Sequence, residues 1–224
     1  VQGQSGLVLD VLGALDNRNG TLLTQDGNLV VQRAASLGNQ GGTVASLAGL
    51  LDLKIGGLLD NGRDLAGKGG VVQGQQLLVQ AGVTDNSGGS MAAQSGDARI
   101  AGGDFTNAGG GLYAKGLVRV DGLRLDNSGG QLAGNRVELA LGDALVNRSG
   151  VIESDSHLLV SAGDLDNQSG VLRALGGAGK TEFQVLRDFD NRYGKLEVSS
   201  ADLTLNAGRL SNLDGSVLHG GVGR

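Results

Sequence analysis

The chain of 224 residues contains no cysteine, no proline and no tryptophan, and only three phenylalanines and two tyrosines. Without cysteine there is no disulfide framework, thiolate zinc site or cysteine nucleophile. Without proline, collagen-like and proline-rich linker readings fail. Aromatics at 2% leave too few platforms for stacking single-stranded bases. A formal charge of −5 opposes a phosphate-binding surface, so no nucleic-acid partner is expected. No apolar run approaches the ~18 residues of a membrane span, and membrane insertion by this segment is not expected. Val1 is not an initiator Met and no signal peptide follows it, which reads as a segment excised from a larger protein.

What is abundant is glycine, 43 residues, beside a 39% hydrophobic class made of small aliphatic side chains. A bulky globular core is hard to build from these. A thin core filled layer by layer is easier.

Internal repetition decides the architecture. Phrases such as LDNRNGTL, LGNQGGTV, LDNSGGQL, LDNQSGVL and FDNRYGKL recur along the chain. Their asparagines are Asn17, Asn39, Asn61, Asn86, Asn107, Asn127, Asn147, Asn167, Asn191 and Asn212, spaced 22, 22, 25, 21, 20, 20, 20, 24 and 21 apart. The unit is about 20 residues, with local insertions near 62–67 and 175–180 that should bulge as loops. After Asn61, skipping five residues places Gly69 and Val71 in the repeat's glycine and apolar slots.

Two residues before each asparagine stands an apolar residue in nine cases of ten, for example Leu15, Phe105, Leu125 and Phe189. Three after it glycine recurs as Gly20, Gly42, Gly89, Gly110, Gly130, Gly150, Gly170, Gly194 and Gly215. Five after it come Leu22, Val44, Met91, Leu112, Leu132, Ile152, Leu172, Leu196 and Val217. A further alternating run, such as Leu77–Val79 or Val137–Leu139, separates consecutive phrases.

Period-2 alternation in runs of three to five residues means short strands, about three per repeat, with no room for a helix. One such coil cannot bury its inward side chains, so neighbours must stack. The chain is therefore expected to be all-β: a single right-handed parallel β-helix (β-solenoid) over residues 1–224, with about 10–11 coils of ~20 residues. An antiparallel sandwich would show turn signals every ~8–12 residues, but would not need one residue type in one slot ten times. Parity puts each Asn on the same face as the apolar residue two before it, hence inward, where amides can ladder from coil to coil. The glycine three residues on is expected to supply positive φ at the corner. Proline is missing because nearly every strand N–H is needed by a neighbouring coil.

The chemistry-bearing patterns are sparse. Ala174 to Thr181 (ALGGAGKT) resembles a relaxed phosphate loop with Lys180 as its cation. Strand-like FQVLRDFDN follows, however, so a Gly-rich surface loop is the better reading. His157 and His219 are too far apart along the stack to form a metal cluster or dyad. Asp16, Asp60, Asp85, Asp126, Asp166 and Asp190 precede their asparagines and should point outward. The adjacent pairs Asp60/Asp85 and Asp166/Asp190 are close enough to share a cation, yet Asp is also simply a good turn residue, and that reading is preferred. No catalytic, cofactor-binding or metal residue is assigned, and no enzyme is expected. Asn19, Asn147 and Asn167 match the glycosylation sequon. Inward asparagines leave no space for a glycan. Asn61-Gly62 is a candidate deamidation site.

At these residues the sequence resembles the 20-residue haemagglutinin repeat of filamentous haemagglutinins and contact-dependent growth inhibition effectors, the large exoproteins of Gram-negative two-partner secretion. The resemblance runs from Leu15 to about Leu218, closest in coils such as GGDFTNAGGGL and SAGDLDNQSGVL. It implies secretion through a dedicated outer-membrane barrel transporter, a cell-surface location and a role in virulence or toxin delivery. The expected function is a structural stalk that holds distal receptor-binding or toxin modules away from the cell. The alternative is a direct adhesin, in which the solenoid face or its loops bind carbohydrate or a host or target-cell receptor. A polysaccharide-active enzyme is a third reading, and it would need a carboxylate cluster that the sequence does not show.

Overall fold

The computed structural model describes residues 1–221. Among them there is no helix, and the strands stack in about 10 coils of ~21 residues as a right-handed β-solenoid. Every strand pairing is parallel. Among the described residues the one antiparallel contact is an isolated bridge, Arg63 to Gly69, inside the first insertion.

Each coil has three faces. In the coil around Asn127, Leu125–Asp126 forms the third face, the chain turns at Asn127, and Gln131–Leu141 supplies the first and second faces in one strand. Ala144–Val146 then opens the third face of the next coil. The three-to-five-residue strands read from the sequence thus run longer here, up to 12 residues in Gly111–Gly122 and Val151–Ala162. A bulge turns the corner without ending the pairing, as at Gly134/Arg136, so one strand covers two faces.

The core is a column one coil wide. Leu125, Leu132, Val137, Leu139 and Leu145 are all buried, and the same slots are buried in coil after coil. Phe183 and Phe189 pack together in one coil, ring centroids 5.8 Å apart. Where an inward slot is polar, it finds a local partner: Thr24 Oγ1 donates to Gly27 O at 2.7 Å and Ser46 Oγ to the same oxygen at 2.8 Å. Ser154 Oγ is an exception, buried with no partner. In the first and last coils Leu7, Leu9, Leu15, Leu203 and Leu205 are only partly buried.

The first insertion is one residue longer than its sequence suggests. Gly70, not Gly69, donates to Asn61 O (3.1 Å), as Gly42 does to Asn39 O (3.0 Å). Val71 pairs with Thr43 and Ser90, so it is Val72 that occupies the buried slot. A five-residue skip preserves the 20-residue count. The real coil inserts six and recovers residues at its other corners, where Leu51 to Leu59 is matched by the shorter Leu77 to Thr84. In the second insertion Leu175–Gly179 lie outside strands and Lys180 already begins strand Lys180–Asp190.

Candidate functional site

The most regular feature is the asparagine corner. Nine consecutive amide steps run along the rod, each Nδ2 donating to the Oδ1 of the next coil's Asn: from Asn17 to Asn39 at 2.6 Å, through Asn127 to Asn147 at 2.7 Å, to Asn191 and Asn212 at 2.6 Å. The same Nδ2 reaches a strand carbonyl of the next coil, such as Val151 O from Asn127 at 3.2 Å. The asparagines from Asn39 to Asn191 are fully buried. A buried amide without partners would be costly; here each interior amide both donates and accepts along the column.

The glycine three residues later has a different job from the one its sequence position suggests. Positive φ does not fall on Gly20, Gly42, Gly89, Gly110, Gly130, Gly150, Gly170, Gly194 or Gly215. It falls one residue earlier, at Asn19, Gly41, Gly88, Gly109, Gly129, Ser149, Ser169, Tyr193 and Asp214, with φ between 53° and 66°. The corner is a four-residue turn in which the glycine N–H returns to the Asn carbonyl, and its third residue is the left-handed one. The glycine is required by space instead. A Cβ on Gly130 would stand 2.7 Å from Asn127 Oδ1 and nearer still to the carbonyl oxygen of Asn107. The amide ladder thus excludes side chains from this slot. The left-handed column escaped sequence reading because Asn, Gly, Ser, Tyr and Asp all occupy it, leaving no single residue type to notice.

The aspartates before the asparagines point outward and build turns. Asp126 Oδ1 accepts from the Ser128 N–H at 2.9 Å, Asp85 Oδ1 from Ser87 at 2.8 Å and Asp60 Oδ1 from Gly62 at 3.0 Å. Asp60 and Asp85 are register partners, as are Asp166 and Asp190. In the second pair the cations are arginines: Arg148 lies 2.6 Å from Asp166 and Arg192 2.6 Å from Asp190. Arg192 and its hydrogen bond hold the Asp190 carboxyl below the usual range. Arg18 does the same to Asp16, which falls to about 2. Arg187 bridges Asp143 and Asp164 at 2.8 and 2.5 Å and lowers the Asp164 carboxyl. Asp97 is lowered chiefly by the backbone N–H of Leu117. Arg148 and Arg187 reach carboxylates of other coils, whereas Arg18 and Arg192 pair within their own turn; exposed pairs of either kind contribute little individually.

Among the described residues, no group of three or more His, Asp or Glu is placed to hold a metal ion. His157 Nδ1 lies 3.1 Å from Ser156 Oγ and His219 Nε2 lies 3.0 Å from Ser200 O, in separate coils. Lys180 pairs with Glu182 and continues into a strand, so no helix start stands behind the phosphate-loop pattern. Asn147 and Asn167 of the sequons are buried ladder members. Asn61 is buried too, its amide fixed by Asn86 Oδ1 at 2.7 Å and Gly70 O at 3.1 Å, which removes the freedom that deamidation at Asn61-Gly62 requires.

The first insertion forms an ordered surface loop. Asp64 Oδ1 accepts from the N–H groups of Ala66 and Lys68 at 2.9 and 2.8 Å, rigidifying the loop tip, and Leu65 is fully exposed. Beside it lies an open groove of about 590 Å³ lined by Arg18, Asn19, Gln40, Arg63, Asp64 and Leu65. Comparison of the chain with family models, with curated proteins and with solved structures finds no match in any of the three.

Proposed function

We propose that the chain is a rigid spacer, a stalk segment of a secreted Gram-negative exoprotein of the filamentous haemagglutinin or contact-dependent inhibition type. On this reading it crosses the outer membrane through a barrel transporter and holds distal binding or toxin modules away from the cell surface. The observation that supports the spacer role is the unbroken amide ladder from Asn17 to Asn212. A single column of buried bonds running through every coil gives a stiff element of fixed rise, roughly 4.8 Å per coil and about 50 Å in all.

Deleting Asn127–Val146 removes one period and joins Asp126 to Asn147, keeping every column in phase. Small-angle scattering should show the rod shortened by ~5 Å with folding retained. In the full-length parent the same deletion should leave surface binding or toxin delivery intact. A globular scattering profile, or loss of delivery after the in-phase deletion, would overturn the spacer reading.

A second reading, direct adhesion to a carbohydrate or cell-surface receptor, is favoured by the groove under the 62–67 loop, where Arg63 forms no ion pair among the described residues. A glycan-array signal that disappears when residues 62–67 are deleted, with the melting curve unchanged, would support it.

A further inference from the structure

Gly111 is a glycine that neither the ladder nor the backbone requires. It stands in an outward register column whose other members include Thr21, Thr43, Val71, Val151 and Val171, and its φ is not positive. The space is taken by Tyr113. Its ring folds back over Gly111, so that a Cβ there would stand 2.6 Å from Tyr113 Oη and 2.7 Å from Cζ. Tyr113 Oη donates to Gln131 Oε1 at 3.1 Å, which pins the ring in this pose. The register neighbours of Tyr113 are Ala92 and Ala133. No large side chain flanks it in its column, and Tyr113 stays 38% exposed.

The corner beside this ring is bare. The coils of Asn86, Asn107 and Asn127 carry Gly88-Gly89, Gly109-Gly110 and Gly129-Gly130 there. Left-handed backbone does not by itself demand Gly88, Gly109 and Gly129, since Asn19, Ser149, Ser169, Tyr193 and Asp214 adopt it in other coils. A Cβ on Gly129 would meet nothing within 4 Å, and one on Gly109 only Arg63 Nη2 at 4.0 Å. The result is an open trough of about 460 Å³, floored by backbone and walled by Tyr113, Gln131 and Arg173. Glycine in an otherwise side-chain-bearing slot is where a ligand can approach the backbone closely.

We infer that this trough binds a chain of pyranose sugars. The inference rests on the adhesion reading and sets its site on the coils beyond the loop groove. The face of the Tyr113 ring suits the apolar C–H face of a pyranose. The Gln131 amide and the Arg173 guanidinium offer planar donors to its hydroxyl groups. Successive coils rise by ~4.8 Å, close to the length of one pyranose unit, so neighbouring sugars rest on neighbouring coils. A peptide strand finds no place here, because Gly111–Gly122 is paired on both sides and offers no free edge. A nucleic acid would leave its phosphates unmatched, since Arg173 already pairs with Glu153.

The test is a glycan array of neutral and uronate-containing oligosaccharides, probed with the full chain and three variants. Tyr113→Ala installs the residue already present at Ala92 and Ala133. Gly111→Thr installs the residue present at Thr43 in the same column and drives the ring out of its pose. Both should keep the melting curve of the unsubstituted chain while the array signal falls about tenfold or more. Tyr113→Phe keeps the ring and should keep most of the signal. Deletion of residues 62–67, which tests the neighbouring groove, should leave most of it too. A signal that survives Tyr113→Ala and Gly111→Thr but is lost with residues 62–67 overturns this site and leaves adhesion through the loop groove standing. An unsubstituted chain that binds no sugar on the array overturns both.

Discussion

The asparagine corner and the other two corners of the rod solve the same turning problem in opposite ways. At the asparagine corner every coil uses the same hydrogen bond from the Asn N–H to the residue before the next Asn, 2.6 to 2.8 Å, and register never slips there. Even the six-residue insertion after Asn61 leaves its rung of the ladder in place, because the loop leaves after Asn61 and returns at Gly70. The other corners carry the register shifts, at Leu9/Asp10, Val31/Ala34, Ala81/Val83, Ala114/Leu117, Gly134/Arg136 and Val185/Asp188. There the linkage between coils is made by exposed pairs such as Arg124–Asp143 and Arg209–Asp188. Buried amides with fixed partners cannot tolerate a slip, whereas a solvated bulge or an exposed ion pair can. Coil length therefore varies only where it costs little.

The contrast can be broken most severely at Gly130. Gly130→Ala drives a methyl group into the Asn127 amide and the Asn107 carbonyl, both held by the ladder, and the expected loss exceeds about 3 kcal/mol. The neighbouring Gly129, with φ of 61° and nothing within 4 Å of a Cβ, separates space from backbone conformation. Gly129→Ala should cost about 1 kcal/mol, the price of a left-handed alanine. Equal losses for the two variants in urea melts would remove the claim that the ladder, and not φ, selects glycine at position 130.

Asn127→Ala comes between these two. It removes the amide acceptor of Asn107 Nδ2 and the donor to Asn147 Oδ1, and roughly 1–3 kcal/mol should be lost. Asp126→Ala, one residue away but facing outward, removes only the turn bonds to Ser128 and should cost about 0.5 kcal/mol. Thermal melts of the two variants side by side decide the matter, and equal shifts would contradict the buried ladder.

The smallest expected effect is that of pH. The carboxyls of Asp97, Asp164 and Asp190 are lowered in the folded chain, and that of Asp16 falls from an ordinary 3.8 to about 2. A depressed folded pKa contributes stability above the unfolded value and loses it as pH falls through the folded one. The melting temperature should therefore hold steady from neutral pH to about 5 and decline modestly as pH falls from about 4 toward 2. The ladder itself has no titrating group. A large loss already at pH 6 would place the stabilising contacts elsewhere.

Much of this fold is written plainly in the sequence because each coil repeats the same local problem. The Asn spacing gave the coil length, parity placed the amide inward, and Leu15, Leu125 or Leu165 marked the core without reference to any distant residue. The insertions were visible as breaks in that spacing. Their lengths were less legible: the coil after Asn61 inserts six residues and shortens its other corners, and a count along the chain sees only the net difference. The cross-coil pairs of Arg187 with Asp143 and Asp164 were missed for a related reason. Their partners lie 44 and 23 residues away, and register shifts blur the spacing that would have linked them.

The sequence by itself determined that the chain is a parallel solenoid with a glycine-permitting, asparagine-lined corner, since period and parity are local properties that survive stacking. The tertiary structure alone decided why those glycines are glycine. Their φ is ordinary, and the constraint comes from an asparagine carbonyl one coil away, which a linear reading cannot bring within contact distance. It also decided that the outward aspartates face arginines and turn amides, because which charge lies above which depends on register, and register is set by packing between coils.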